Sequence, residues 1–212
     1  MASTDRFEPQ TQTAPEKKSG GCLKWFLILG GIGLVLGVIC CGGVTYLGFQ
    51  FKPTIATTPA EVDKIALEIA DLKMLPEFAG KTGMKMNIMI MDMRMADYEH
   101  AAGKGQLQLI EMAMKAAGGA DQDAQLEVEM NKQNQLNFRT LDGAETETME
   151  MEIRGKPASF TVTTGKATGS DTEYHQVKGV FKSKNGIAKL MLEVESAAVT
   201  PDDLDALMNS LK

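Results

Sequence analysis

The residues best suited to chemistry in this chain are methionines that alternate along one short segment. The run MKMNIMIMDMRM, residues 84–95, holds six of the 15 methionines. Met89, Met91 and Met93 share one side of an extended strand, and His100 follows as a further donor. Because thioether sulfur is a soft ligand that suits Cu(I), this set is an alternative candidate for a metal site. Methionine also fills irregular cores, so core packing or contact with a partner is the favoured interpretation.

Other residue types give no catalytic pattern. The two histidines, His100 and His175, lie far apart in the sequence and neither has a neighbouring cysteine. The chain has no G-x-S-x-G nucleophile motif, no phosphate-binding loop and no dinucleotide-binding glycine motif. We therefore predict a non-catalytic protein without a cofactor, with an enzyme of unrecognised type as an alternative.

The negative charge of the chain argues against one class of partner, nucleic acid. The net charge is −6, and residues 53–212 carry 17 Lys and Arg against 25 Asp and Glu, which gives −8. An acidic domain repels a phosphate backbone, so nucleic acid is not an expected partner. An unknown protein is expected instead, and the leading functional hypothesis is a binding or assembly module.

Residues 25–49 form an uncharged, apolar run that predicts a single transmembrane helix within residues 23–51. Aromatic residues at its two ends are typical of membrane interfaces; they are Trp25, Phe26, Tyr46 and Phe49. This interpretation makes a lipid bilayer a partner of the chain. Residues 1–22 are then a disordered tail, residues 52–57 a linker and residues 58–212 a folded domain.

Positive charges near this run set the predicted orientation. Lys17, Lys18 and Lys24 precede the run, and only Lys52 follows it closely. The positive-inside rule then places the N-terminus in the cytoplasm and the domain outside the cell membrane. The domain contains neither cysteine nor an Asn-x-Ser/Thr sequon, a combination that favours a bacterial envelope protein.

Small residues spaced by four could let two such helices approach closely. They are Gly33, Gly37 and Cys41, and they predict a homodimer through the transmembrane helix. The alternative is that glycine is simply common in membrane spans.

Periodicity within residues 58–212 predicts helices at both ends and strands between them. Thr58 and Pro59 begin a helix over residues 59–72, and Thr200 and Pro201 begin the last helix. Strands are predicted at residues 84–98, 106–112, 148–154, 159–164, 174–182 and 187–195. Asn185-Gly186 predicts a hairpin. Residues 121–135 favour a helix by composition, although the alternation of Leu126, Val128 and Met130 leaves a strand as the alternative.

The predicted class is α+β: a transmembrane helix, then an antiparallel sheet covered by two or three helices. The phrase Leu75-Pro76-Glu77-Phe78 before a hairpin, followed by a helix, a meander and a closing helix, resembles the PsbP-like α/β sandwich superfamily. The resemblance covers roughly residues 73–212 and rests on the order of elements; the helix over residues 59–72 departs from it. It implies a non-catalytic binding or assembly factor, and no functional residues are carried over.

Overall fold

A single antiparallel sheet dominates the fold. The computed structural model describes residues 53–115, 120–132 and 138–211. The strands are β1 (Thr54–Ala56), β2 (Phe78–Ile88), β3 (Met91–His100), β4 (Gly105–Met114), β5 (Leu141–Ile153), β6 (Lys156–Ala167), β7 (Glu173–Lys182) and β8 (Ile187–Glu195). The helices are α1 (Pro59–Ile69), α2 (Ala120–Lys132) and α3 (Pro201–Ser210).

The sheet consists of two meanders that meet in its middle. Its strand order is β1-β2-β3-β4-β8-β7-β6-β5, and each neighbouring pair is antiparallel. The connection through α2 runs from the central strand β4 to the edge strand β5. The pairing of β4 with β8 therefore joins the two halves.

The main core lies between the sheet and the helices α1 and α3. Helix α1 begins at Pro59 and buries its apolar stripe, which is Val62, Ile65, Ala66 and Ile69. Helix α3 begins with a capping box in which Thr200 and Asp203 satisfy each other's backbone N–H groups. The two helices share one cluster with the inward residues of β8, which are Ala188, Leu190, Leu192 and Val194. Both predicted terminal helices are confirmed, although the first ends at Ile69 and not at residue 72.

A smaller core lies on the opposite face, under α2. Met130 of α2 packs with Ile110, Val180, Ile187 and Met191 from the sheet. The Nζ of Lys189 donates a 2.8 Å hydrogen bond to the carbonyl oxygen of Met130, near the end of α2. The helix predicted over residues 121–135 is confirmed as far as Lys132, and the strand alternative is excluded there. Residues 133–135 lie outside the described residues. Because both faces of β8 are covered, nearly every residue of that strand is buried.

The single strand predicted over residues 84–98 is wrong. The structure places a hairpin there, with β2 and β3 joined by the two-residue turn Met89-Ile90 and Ile88 opposite Met91. Met84, Met86 and Ile88 lie on the same side of the sheet as Met91, Met93 and Met95, because the chain reverses direction at this turn. No glycine, proline, asparagine or aspartate marks the turn residues themselves, which is why residue type did not reveal it.

The fold class predicted from the sequence is corrected. The described chain is a mostly antiparallel eight-stranded sheet with three short helices. It is not six strands behind a transmembrane helix. The hairpin at Met89 adds one strand, and β1 adds another within residues 52–57, which were predicted as a linker.

The single-pass membrane assignment is corrected as well, together with its orientation and envelope location. Within the described ranges, no helix is long and apolar enough to cross a membrane. The three helices have 11, 13 and 10 residues, so each is under roughly 20 Å long against a hydrocarbon core of about 30 Å. The predicted span, residues 23–51, lies outside the described residues. The same holds for its aromatic ends (Trp25, Phe26, Tyr46 and Phe49) and its small-residue ridge (Gly33, Gly37 and Cys41).

Gly186 is needed for space and not for backbone freedom. The predicted hairpin is confirmed, but its loop comprises residues 183–186, and neither Asn185 nor Gly186 has a positive φ. A Cβ on Gly186 would collide with the carbonyl oxygen of Met112 and lie 2.8 Å from the Cα of Ala113. The β7–β8 loop therefore packs directly against the end of β4.

Replacing Gly186 tests this close approach. Gly186→Ala should lower the free energy of unfolding by about 3 kcal/mol, since the backbone of β4 would have to move. Gly103→Ala is the control. Gly103 has a φ of 69°, and a Cβ added there would meet nothing within 4 Å, so only the positive φ costs energy, about 1 kcal/mol. Urea unfolding measures both, and equal losses would contradict the packing explanation.

A buried carboxylate ties this loop to the rest of the sheet. Glu111 of β4 is 0% exposed. It accepts hydrogen bonds from Arg94 Nη1 at 2.5 Å, Ser183 Oγ at 2.6 Å and the backbone N–H of Asn185 at 3.1 Å. Arg94 Nε also donates to Glu68 of α1 at 3.1 Å. The chain of contacts thus connects α1, β3, β4 and the β7–β8 loop.

Removing the charge of Glu111 should be costly. Glu111→Gln keeps the size but leaves Arg94 without its buried partner, so we expect a loss of about 3 kcal/mol in unfolding free energy. The control is Glu99→Gln, which breaks the solvent-exposed ion pair between Glu99 and Lys81 and should cost under about 1 kcal/mol. Equal urea midpoints for the two variants would show that the network contributes little.

Candidate binding surface

The strand register gathers methionines from three neighbouring strands onto one side of the sheet. Directly opposite residues of an antiparallel pair point to the same side. Three rows cross β2, β3 and β4: Met86–Met93–Met112, Met84–Met95–Ile110 and Ile88–Met91–Met114. We call the seven methionines in these rows the methionine face. The other side of the same strands carries Ala96, Tyr98 and Leu109, which belong to the main core.

The methionine face is covered at one end and open at the other. Met93, Met95 and Met112 pack against the small core beneath α2. Of the three helices that the structure describes, α2 alone contributes to this side, and its main contacts are with β7 and β8. At the open end, large apolar side chains are exposed to solvent: Met89 at 70%, Ile90 at 62% and Met114 at 39%. Ile55, exposed at 62%, stands beside Met84 on the short strand β1.

The residues predicted to hold copper are only partly brought together. Met91 and Met93 lie on the methionine face, and Met89 lies in the adjoining turn. His100 is at the far end of β3, seven residues or roughly 23 Å from Met93, and on the opposite side of the sheet. There it packs edge-on against Phe78 and accepts a 3.1 Å hydrogen bond from the N–H of Ala102. His100 therefore does not join the methionines.

The residues that lie beside Met93 are Met86 and Met112, and His100 is not among them. They stand directly opposite Met93 on its two neighbouring strands. Sequence reasoning missed them as partners of Met93 because their approach depends on the unpredicted hairpin and on the pairing of β3 with β4. Recognising the turn at Met89 would have revealed Met86 opposite Met93.

His175, the second histidine, is not part of a catalytic arrangement among the described residues. His175 on β7 is half-buried, and its Nδ1 lies 2.9 Å from Thr164 Oγ1. Burial lowers the pKa of His175. In the part of the chain that the structure describes, no three His, Cys, Asp or Glu side chains are placed to hold a metal ion. The absence of enzymatic activity stays a prediction.

Polar residues follow the methionine face along β3 and β4, in the row after Met95 and Ile110. Asp97 stands opposite Gln108 beside Met95, and Gln108 Nε2 donates a 2.7 Å hydrogen bond to Asp97 Oδ1. Burial raises the pKa of Asp97. The other amide atom, Gln108 Oε1, is buried without a hydrogen-bond partner among the described residues. The pair therefore destabilises the fold in two ways: the Asp97 carboxylate carries a charge that is disfavoured by burial, and Gln108 Oε1 is an acceptor without a donor in the described part of the chain.

Replacing the carboxylate with an amide should stabilise the protein. The amide nitrogen in Asp97→Asn can donate to Gln108 Oε1 while its oxygen still accepts from Nε2, so we expect a gain of about 1 kcal/mol at pH 7. The raised pKa of Asp97 means that the folded protein holds this proton more tightly than the unfolded chain. The stability that Asp97 contributes should then rise as the pH falls through the raised pKa toward the ordinary Asp range. The advantage of Asp97→Asn over the wild type should therefore shrink, while Glu68, Asp71 and Asp203, whose pKa values are lowered, affect both proteins alike. Urea unfolding at pH 4 and pH 7 measures this, and a less stable variant at pH 7 would refute it.

Comparison with known proteins does not assign this chain to a family. The chain matches no protein-family model, no curated protein and no solved structure. The resemblance to the PsbP-like superfamily thus stays a prediction, and function has to be inferred from the surface itself.

Proposed function

We propose that this chain is a non-catalytic binding module whose methionine face receives the apolar side of a basic amphipathic helix from a protein partner. The observation that supports this most directly is the register of seven methionines on three adjacent strands. Exposed Met89 and Ile90 extend the apolar surface to its open end, and exposed Ile55 extends it from Met84 onto β1. Contiguous exposed apolar surface of this kind marks interaction sites.

The dimensions of the face fit one helix. Strands β2 and β4 lie two strand spacings apart, or roughly 10 Å. An α-helix with its side chains has a diameter of about 10–12 Å. The same sheet already packs α1 and α3 on its other side and α2 on this side, so a further helix would use the packing that the fold employs elsewhere.

Methionine suits a docking surface because its unbranched side chain adapts to a partner's shape. A helix presenting large apolar residues at helical spacing can then be accommodated by changes in side-chain rotamers, without moving the strands. The negative charge of residues 53–212, at −8, adds a preference for a helix whose flanks carry Lys and Arg.

Site-specific crosslinking in the cells that make the protein tests this proposal. A photoreactive residue replaces Met89 in the full-length chain, and the adducts are mapped by peptide mass spectrometry. We expect one dominant protein adduct whose crosslinked segment is a basic amphipathic helix. Ile90→Asp should abolish this adduct because it places a charge on the docking surface.

The matched control places the same photoreactive residue at Val128 on α2, which is exposed at 53% but lies away from the open end. Position 128 should give no such adduct. Absence of an adduct from position 89, the same adducts from both positions, an acidic or extended partner segment, or an adduct to a second copy of this chain would each overturn the proposal.

A further inference from the structure

We infer that the row Met86–Met93–Met112 binds a single Cu(I) ion through its three thioether sulfurs. This site goes beyond the proposed docking of a helix and does not depend on a protein partner. It also differs from the set predicted by sequence, because it omits Met89, Met91 and His100 and takes one ligand from each of three strands.

Register places the three ligands in line. Met93 stands directly opposite Met86 on one neighbour and directly opposite Met112 on the other, with strands roughly 4.8 Å apart. The side chains rise from the same side of the sheet, and each has three rotatable bonds. The outer two sulfurs can therefore lean toward the central one and enclose an ion above β3.

The surroundings favour Cu(I) over harder cations. Thioethers are soft donors that select Cu(I), whereas Ca²⁺ and Mg²⁺ need oxygen ligands. The rows on either side offer further sulfurs, Met84 and Met95 on one side and Met91 and Met114 on the other. No carboxylate stands in these three rows.

One side of this row is shielded and the other is open. Met93 and Met112 pack against the small apolar core with Ile110 and Ile187, which limits water on that side. Met86 lies on β2, and within the described residues the edge strand β1 pairs with Gly83, Met84 and Lys85. Met86 is partly exposed there, so this side of the row borders solvent in the part of the chain that the structure describes.

Anaerobic titration with Cu(I) tests the site in the full-length chain. Cys22, Cys40 and Cys41 are first blocked with a maleimide, because thiolates also bind Cu(I). A chromogenic Cu(I) chelator competes for the metal. We expect one equivalent to bind, with an X-ray absorption spectrum that shows only sulfur neighbours.

Two triple variants make the result specific. Replacing Met86, Met93 and Met112 with Leu preserves side-chain volume and the fold, and it should abolish binding. The control replaces Met149, Met151 and Met208, which belong to or pack against the main core, with Leu and should bind as the wild type does. The inference is overturned if the chelator keeps all the copper, if the first triple variant binds as tightly as the wild type, or if nitrogen or oxygen neighbours dominate the spectrum.

The same variants separate this site from the proposed docking surface. Leucine at the three positions keeps the face apolar, so the crosslink from position 89 should survive while copper binding is lost. Ile90→Asp should do the reverse, because residue 90 contributes no sulfur. The experiments can therefore reject copper binding without rejecting helix docking, and the reverse.

Discussion

The carboxylate of Glu111 is the interaction on which the arrangement of this sheet depends. Its oxygens accept from Arg94, Ser183 and the backbone of Asn185, and no part of it reaches solvent. A buried charge of this kind is tolerated only when its partners are in place, since leaving it unpaired costs several kcal/mol. Ser183 and Asn185 belong to the second meander, so the charge is satisfied only when β8 pairs with β4 in the observed register.

That register in turn determines which side the methionines face. Met112 follows Glu111 directly and stands opposite Ile187. A shift of β4 by one residue would move Glu111 to the side of α2 and turn Met112 toward the main core, because side chains alternate along a strand. The collision that a side chain at Gly186 would cause with β4 restricts the same junction. One buried charge and one glycine therefore restrict the pairing of β4 with β8, although neither belongs to the methionine face.

The sequence predicted the elements whose ends are marked by capping or turn residues. Thr200 with Pro201 and Asp203 forms the capping box that begins α3, and Asn185-Gly186 lies in the loop between β7 and β8. The turn at Met89-Ile90 has no such signal, because both residues are apolar and would suit a strand interior. Without that turn, Met86 and Met93 remain distant along one strand instead of neighbours on two. The candidate site thus rests on long-range pairing that alternation within one segment cannot show.

The contrast between the two sides of these strands indicates that methionine serves something other than sheet stability. On the side of α1, β4 carries Leu107 and Leu109, and β8 carries Leu190 and Leu192, all buried in the main core. On the other side, β2, β3 and β4 together carry seven methionines. Strands favour β-branched and aromatic residues, and aliphatic residues with well-defined rotamers specify a core better than methionine does. A face that needed only to be filled would be expected to resemble the leucine side. Adaptability toward a partner and soft sulfur ligation are the two properties that methionine has and leucine lacks. Leucine at positions 86, 93 and 112 removes the three proposed ligands but leaves four methionines on the face, whereas Ile90→Asp adds a charge there and removes no sulfur.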